Sequence, residues 1–220
     1  MEYNICYEDD SILAVYKPAG ISSTKDLTHG LSLLEVLEEK LKIPFLQPVH
    51  RLDKPIEGVI VFVKDKTSFT HITEQFKAKT IDKTYLAVVR HVDLIGPKIL
   101  HHYLRFQPNI KRSVIDVKSF ENAEEVMLTV EKVSDFGIFS LIKLLPHTGK
   151  THQIRVQLGY ENMPIVGDVK YGYRRNMKDK SIALLAKDIS FNHPVSGKRL
   201  TISCEIPTHG IWSNMHAAQG

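Results

Sequence analysis

Residues 49–65 read VHRLDKPIEGVIVFVKD, and in them a charged cluster directly precedes a long apolar run. The run from Gly58 onward is rich in β-branched residues, which is typical of a buried strand. The cluster contains His50, Arg51 and Asp53. Burying charged groups at the start of a core strand costs folding free energy unless the groups are paired or exposed in a cleft. Two interpretations of Asp53 therefore stand open: a loop salt bridge with a nearby cation, or a functional carboxylate.

A second polar cluster lies in residues 146–158, PHTGKTHQIRVQL, around a predicted helix start. The tripeptide Gly149-Lys150-Thr151 matches the last three residues of the phosphate-binding loop motif. That motif requires a glycine five positions before Gly149, where Leu144 stands. The sequence therefore does not indicate a phosphate-binding loop of this kind.

The histidines and the arginine of this cluster allow two other functions. A metal site formed by His147 and His152 is disfavoured, because a spacing of five places them on different helix faces and no acidic residue adjoins them. A helix N-terminus together with Arg155 is a suitable site for an anion, either a carboxylate or a phosphate.

A third segment, DKTYLAVV at residues 82–89, places Lys83 and Tyr85 on the same face of a predicted strand. An aromatic ring beside a cation can stack a base above a phosphate. The alternative is an ordinary core tyrosine. The segment alone does not distinguish these two interpretations.

Hydrophobic periodicity and turn residues predict an α+β fold with a mainly antiparallel sheet. Predicted strands are 11–20, 58–65, 84–92, 127–133, 137–145, 182–191 and 198–206, and predicted helices are 32–42, 67–79 and 151–160. Thr148 or Thr151 is the expected N-cap of the last helix. The tail, residues 209–220, has no clear pattern and is expected to be loosely attached.

Composition restricts the class of protein. The chain has 220 residues, of which 43% are hydrophobic and 25% charged, as in ordinary globular proteins. The net charge of +4 is compatible with a polyanionic partner but is weak support for one. Cys6 and Cys204 lack zinc-ligand spacing and are expected to be free thiols. Without a signal peptide or an apolar stretch of about 20 residues, the protein is expected to be soluble and cytoplasmic.

Together these segments resemble the RluA family of RNA pseudouridine synthases. The matching stretches are HRLDKPIEGVIVFVK (50–64), KTYLAVV (83–89), TGKTHQIR (148–155) and PIVGDVKYG (164–172). The opening YEDDSILAVYKPAGIS (7–22) and the ending SFNHPVSGKRLTISCEIP (190–207) also match. Several motifs in the same order are far more specific than any one of them.

The resemblance implies a single catalytic domain over residues 1–220, of the short form without an additional N-terminal RNA-binding domain. Its fold would be a mixed, mainly antiparallel sheet flanked by helices, with a central active-site cleft. The reaction would convert uridine to pseudouridine in structured RNA, without a metal or another cofactor. Asp53 would be the essential carboxylate, which either attacks the sugar or takes a proton from it.

The resemblance also implies roles for residues around Asp53. Arg155 would hold the carboxylate in its charged form and fix its direction. Tyr85 would stack on the uracil and assist the later proton transfer from C5. Arg51 would fill the gap that the flipped uridine leaves. Further RNA contacts are expected from His50, Lys17, Lys54, Lys83 and Lys150. The expected partner is tRNA or ribosomal RNA, with no DNA or membrane, and the protein is expected to be a monomer.

Four positions depart from the family pattern. Glu57 stands where Ser or Thr is usual, Leu185 where many members have His, and Lys54 and Lys150 where Arg is common. The first two motivate a rival hypothesis, a non-catalytic RNA-binding or chaperone protein on the same scaffold. A third hypothesis is a hydrolase that uses Asp53 on an anionic small molecule. The intact set of Asp53, Tyr85 and Arg155 favours the pseudouridine synthase.

Overall fold

The computed structural model of the protein describes residues 4–25 and 30–214. It divides into two compact units. Unit 1 comprises residues 1–83 and 185–205, and unit 2 comprises residues 84–184 and 206–220. That residues 1–220 act as a single catalytic domain stays a prediction.

Unit 1 is built on a mixed sheet. Its strands, numbered in chain order, are β1 (Asn4–Glu8), β2 (Ile12–Lys17), β3 (Gln47–Pro48), β4 (Glu57–Val63), β10 (Leu184–Asn192, the first residue of which belongs to unit 2) and β11 (Arg199–Ser203). The strand order is β1-β2-β4-β10-β11, and β3 pairs with β4. β4 runs antiparallel to β2 and parallel to β10. Every residue of β4 is buried, as its continuous apolar run predicted.

Two helices complete unit 1, α1 (Leu33–Leu41) and α2 (Lys66–Lys77). α1 begins with a capping box, in which the Ser32 hydroxyl accepts from the Glu35 N–H and the Glu35 carboxylate accepts from the Ser32 N–H. Its apolar face packs with β2 and β4 in one core cluster: Leu13, Val15, Ile21, Leu33, Val36, Leu37, Leu46, Ile60 and Phe62. The helix predicted over residues 32–42 is thus confirmed.

Gly58 allows β4 and β10 to approach closely. Its φ is +125°, and a Cβ built at this position would lie 2.3 Å from the Ala186 carbonyl oxygen. Both the backbone conformation and the distance exclude a side chain. The glycine that follows the HRLD sequence is therefore required for the pairing of these two strands.

We expect Gly58→Ala to lower the free energy of unfolding by about 3 kcal/mol or more, because the new methyl group meets backbone and the backbone conformation is strained. Urea unfolding followed by circular dichroism measures the change. Gly96→Ala is the matched control, because its φ is +72° and nothing lies within 4 Å of the added Cβ. That control should cost about 1 kcal/mol. Equal losses for the two variants would contradict the steric explanation.

Unit 2 is built on an antiparallel sheet. Its strands are β5 (Asp82–Arg90, the first two residues of which belong to unit 1), β6 (Lys98–Gln107), β7 (Arg112–Asp116), β8 (Glu124–Phe136) and β9 (Phe139–Pro146). The strand order is β5-β9-β8-β6-β7. One helix, α3 (Gln153–Tyr160), lies against β6, β7 and β8. The two units together confirm the predicted α+β class with a mainly antiparallel, mixed sheet flanked by helices. The predicted central cleft stays a prediction.

The start of α3 differs from the prediction. Its N-cap is His152, in a left-handed conformation with φ of +57° and without a side-chain capping bond, so neither Thr148 nor Thr151 is the cap. The Thr148 hydroxyl instead donates to Gln153 Oε1 (2.8 Å), and the Thr151 carbonyl accepts from the Ser113 hydroxyl (2.6 Å). The Thr148 hydroxyl also accepts from the Met127 N–H (3.2 Å), so this group is used outside the first turn of α3.

The first part of the C-terminal segment is ordered by a buried side chain. Gly210–Trp212 forms a 3-10 turn, and Trp212 is buried within the fold. Residues 215–220 of the predicted loose tail lie outside the described residues. Among the helices of residues 4–25 and 30–214, none is long and apolar enough to span a membrane.

Candidate active site

The loop that carries Asp53 is fixed by backbone hydrogen bonds on both sides of that residue. The Ser23 hydroxyl donates to the Leu52 carbonyl (2.9 Å) and accepts from the Leu52 N–H (3.0 Å). On the other side, the Ile56 N–H donates to the Asp53 carbonyl (3.0 Å) and closes a turn. Leu52 and Ile56 are buried, whereas Asp53 is half-buried. The sequence thus presents a carboxylate on a backbone that is held in place.

His50 joins this loop to β4. The Val61 N–H donates to His50 Nε2 (3.0 Å), so Nε2 carries no proton in the folded protein. Burial, with a smaller contribution from the charge of Lys83, lowers the pKa of His50 to about 3. A neutral ring whose Nε2 already accepts a backbone N–H anchors the loop. The RNA contact suggested for His50 stays a prediction, and Nε2 is not the atom available to make it.

We expect the stability of the protein to fall as the pH drops below 6.5, partly because of His50. In the unfolded chain His50 takes up a proton near its ordinary pKa of 6.5, but in the folded protein only near 3. The unfolded state is therefore favoured as the pH falls, by up to about 1.4 kcal/mol per pH unit. Urea unfolding at pH 7, 6 and 5 should show a weaker pH dependence for His50→Gln, whose amide oxygen can still accept the Val61 N–H.

The control for this experiment is His71→Gln, at an exposed position on α2. It should keep the pH dependence of the wild type. If His50→Gln and the wild type lost stability in parallel as the pH fell, His50 would not be the group responsible.

Lys17, at the end of β2, is a buried anchor of the Asp53 loop. Its side chain is 0% exposed, and its ammonium donates to the carbonyls of Pro18 (3.0 Å), Ile21 (3.0 Å) and Lys54 (3.4 Å). The Gly20 N–H donates to the same Lys54 carbonyl (2.8 Å). A buried ammonium committed to carbonyls does not reach a phosphate. The predicted RNA contact at Lys17 is therefore corrected: the residue positions the loop.

The charge of Lys17 lies near two carboxylates. Burial lowers the pKa of Lys17 to about 8, while the charges of Asp53 and Glu57 oppose this shift. Lys17 is consequently still protonated at pH 7. An ammonium with no exposed surface supplies a fixed positive charge behind the Asp53 loop.

The two departures at Glu57 and Leu185 lie opposite each other inside unit 1. They are partners in the parallel pairing of β4 with β10, and their exposures are 3% and 0%. The Tyr16 hydroxyl donates to Glu57 Oε2 (2.5 Å). Burial and this hydrogen bond raise the pKa of Tyr16 well above its ordinary value, so the hydroxyl remains the donor. Both departures belong to the packing behind the loop rather than to its surface.

Three other cations of unit 1 were predicted to contact RNA. Arg51 and Lys54 are exposed, and Lys83 is half-buried. Burial lowers the pKa of Lys83. The exposed location of Arg51, next to the fixed residue Leu52, is compatible with the stacking role that the family resemblance implies. These contacts stay predictions.

In unit 2, Arg155 forms a two-point ion pair with Asp168. Its Nε donates to Oδ2 (2.7 Å) and its Nη2 to Oδ1 (2.9 Å). The two side chains are 7% and 1% exposed. The guanidinium carbon also lies 5.1 Å from the centre of the Tyr171 ring. A planar pair of this kind fixes both the position and the plane of the guanidinium.

Sequence reasoning did not assign roles to Asp168 and Tyr171. The available signal was physical: Arg155 lies in a helix whose apolar neighbours predict burial, and a buried guanidinium requires an acid. The Tyr171 hydroxyl accepts from the Ser113 N–H (2.8 Å) and lies 2.7 Å from His152 Nδ1. Tyr171 therefore ties the start of α3 to β7 while its ring supports Arg155.

The remaining predicted residues of unit 2 have local partners. Tyr85 is half-buried on β5, where it pairs with Leu144 of β9. The Lys150 ammonium forms an ion pair with Glu124. His147 Nε2 lies 2.8 Å from the Thr129 hydroxyl. Within the described ranges, no group of three or more His, Cys, Asp or Glu side chains is arranged to hold a metal ion.

Unit 1 thus carries Asp53 with His50 and Lys17 behind it, and unit 2 carries Tyr85, Arg155 and Lys150. Each unit fixes its own residues by hydrogen bonds or ion pairs. That Asp53, Tyr85 and Arg155 meet at one catalytic centre stays a prediction.

Comparison with known proteins gives a consistent family. Residues 11–160 match the family model described as RNA pseudouridylate synthase. The ribosomal large subunit pseudouridine synthases C of Haemophilus influenzae and Vibrio cholerae are 30% and 31% identical over 94% and 95% of this chain. This chain covers 66% and 67% of their lengths. The tRNA pseudouridine synthase C of Haemophilus ducreyi is 30% identical over 92% of this chain and 90% of its own length.

Solved structures show the same fold. The structure of Human RNA Pseudouridylate Synthase Domain Containing 4 superposes with a TM-score of 0.78 at 23% identity, over 98% of this chain and 93% of its own. Human RNA Pseudouridylate Synthase Domain Containing 1 gives a TM-score of 0.77 at 19% identity, over 99% of this chain and 95% of its own. The resemblance to the RluA group is confirmed, and the chain belongs to the RNA pseudouridylate synthase family.

Proposed function

We propose that this protein isomerises uridine to pseudouridine in structured RNA, with Asp53 as the catalytic carboxylate. The observation that carries the proposal is the HRLD segment. Asp53 lies within the residues that match the family model, on a loop held on both sides by hydrogen bonds to the backbone. The substrate class follows from relatives whose names specify ribosomal RNA and tRNA. The proposal includes a monomer that acts in the cytoplasm on RNA and not on DNA.

The reaction breaks the bond between N1 of uracil and C1′ of the ribose, turns the base and joins C5 to C1′. C5 then loses its proton, and N1 gains one. Asp53 acts on the ribose as an ionised carboxylate, by attack or by taking a proton. We assign Arg155, which Asp168 orients, to pair with the negatively charged Asp53 carboxylate. Tyr85 is assigned to stack on the face of the uracil. None of these steps is a redox step.

The target uridine must leave its base stack to react, which costs a few kcal/mol. Arg51 is assigned to replace it, because its exposed guanidinium is planar and can stack between bases. Lys54, Lys83 and Lys150 are assigned to phosphates, and His50 to the support of the loop. Recognition of the RNA then depends on its shape and on unstacked bases.

The rival hypothesis, a non-catalytic RNA-binding protein, was motivated by Glu57 and Leu185. Both residues are buried and face each other in the pairing of β4 with β10. Such positions affect packing rather than contact with RNA. Direct contact with RNA therefore does not explain these departures, and the assay below decides between the enzyme and the rival.

Release of tritium from RNA labelled with [5-³H]uridine tests the proposal, because forming pseudouridine removes the hydrogen from C5. Total tRNA and total ribosomal RNA from cells lacking this protein are the two substrates. We expect release from at least one of them and a matching appearance of pseudouridine in its nucleoside digest. Binding of RNA without release from either pool would contradict the enzymatic function and support the rival.

A further inference from the structure

Unit 2 contains a groove of about 460 Å³ between β7, α3 and the turn that carries Tyr171. Its walls include Val114, Val156 and Tyr160. Apolar side chains remain exposed at this groove, since Tyr160 is 43% exposed and Ile110, at its edge, is 55% exposed. The volume lies within the range of sites that bind small molecules or single groups of larger ligands.

Aromatic and guanidinium groups meet at one wall of this groove. The Arg112 guanidinium carbon lies 5.4 Å from the centre of the Tyr171 ring, and both residues line the groove. The Lys170 ammonium donates to the Lys111 carbonyl (2.7 Å) and so links the two segments that flank the wall. Aromatic faces, guanidinium planes and apolar walls are the surfaces on which unstacked bases bind.

Positive charge is concentrated in the two chain segments that contribute Ile110, Arg112 and Tyr171 to the groove. Residues 108–116 and 169–180 contain seven Lys or Arg residues and two Asp residues, a net charge of +5. The whole chain carries only +4, so the rest of the sequence is close to neutral. Arg174 and Arg175 are exposed, and neither forms an ion pair with another described residue. A cationic surface around an apolar, aromatic groove complements a strand of phosphates with splayed bases.

We propose that this surface holds a single-stranded stretch of the RNA substrate away from the target uridine. One unstacked base enters the groove against the exposed Tyr160 and Arg112, and flanking phosphates contact Arg174 and Arg175, which follow Tyr171 in the chain. The proposal rests on the function proposed above, because RNA is the polyanion on which that function acts. The surface contributes to the affinity for RNA, not to the chemical step.

The test changes the exposed cations and the lining of the groove in separate variants of the full chain. Arg174→Ala/Arg175→Ala removes two exposed cations, and Lys66→Ala/Lys77→Ala on α2 removes the same charge elsewhere. Ile110→Glu places a carboxylate at the groove, and Ile95→Glu makes the same change at a residue that is 102% exposed. Filter binding of total tRNA and total ribosomal RNA across NaCl concentrations gives Kd, and tritium release gives kcat and KM. Urea unfolding verifies that all variants are folded.

For the double arginine variant we expect Kd and KM to rise about tenfold, with kcat unchanged within a factor of about two. The dependence of log Kd on log salt concentration should become shallower by about 1 to 2. Ile110→Glu should weaken binding by a similar factor through repulsion of phosphate. The proposal is overturned if each variant behaves like its control, or if kcat falls while Kd stays constant.

These readouts keep the two proposals distinguishable. Wild-type protein that binds RNA but releases no tritium contradicts the isomerase function, and the comparison of Kd values still tests the surface. Wild-type protein that releases tritium, with variants indistinguishable from their controls, contradicts the surface alone. If the double arginine variant lost binding to phosphatidylglycerol vesicles but not to RNA, a membrane would be the partner and the inference would be wrong.

Discussion

Replacing Asp53 with Asn is expected to lower the rate of tritium release by at least about a thousandfold, while the Kd for RNA changes by less than about threefold. The amide has the size of the carboxylate but can neither attack the sugar nor accept its proton, and groups in such roles account for factors of this order. The loop should keep its shape, because the Ser23 hydroxyl holds the backbone of Leu52 and the Ile56 N–H holds the Asp53 carbonyl, and the substitution changes neither bond. Single-turnover kinetics with excess enzyme separate chemistry from product release.

Asp10→Asn provides the matched control for this substitution. Asp10 is exposed at the turn before β2 and lies in the same unit, so the two variants lose the same formal charge. Its kinetics should equal those of the wild type. A residual rate above about a tenth of the wild type in Asp53→Asn would show that another group carries the reaction.

Asp168→Ala is expected to lower the free energy of unfolding by about 3 to 5 kcal/mol, because it leaves the buried Arg155 guanidinium without the carboxylate that both Nε and Nη2 contact. Tritium release should fall as well, since the plane of Arg155 is no longer fixed. Urea unfolding at pH 7 and the tritium assay measure the two effects on the same preparations.

The double variant Arg155→Met/Asp168→Leu separates stability from catalysis. Replacing both members of a buried ion pair with apolar residues is often neutral for folding, so the double variant should recover most of the lost stability. It should nevertheless remain inactive, because the guanidinium assigned to Asp53 is absent. Recovery of stability together with activity would contradict the catalytic role of Arg155. A loss below about 1 kcal/mol in Asp168→Ala would contradict the importance of the pair for folding.

Among the described residues, local patterns predicted the three α-helices and seven of the eleven strands, but not β1, β3, β6 and β7. Apolar spacing predicted the helices α1 and α2, and the apolar run after Gly58 predicted the buried strand β4. These signals are contained within a few neighbouring residues, whose backbone preferences and hydrophobic spacing act locally. The order of the motifs along the chain was sufficient to indicate the family.

Features that depend on tertiary partners could not be predicted in this way. Lys17 looked like a surface cation, yet the chain turns at Pro18 so that its carbonyl and that of Ile21 face the ammonium. The Thr148 hydroxyl accepts from the Met127 N–H of β8, and Asp168 reaches Arg155 only after a helix and a turn have been built. Spacing in a sequence says which residues share a face, but not which distant group the tertiary structure brings to them.

Buried and exposed residues alternate along the HRLD segment, and the two groups have different tasks. Leu52 points inward and, through its backbone, holds the carboxylate at its place, while Arg51 and Lys54 face solvent. Under the function proposed above, an exchange at Lys54 would change a contact with an RNA phosphate without moving Asp53. Choice of substrate can therefore diverge between descendants of one ancestor while the chemistry is inherited intact.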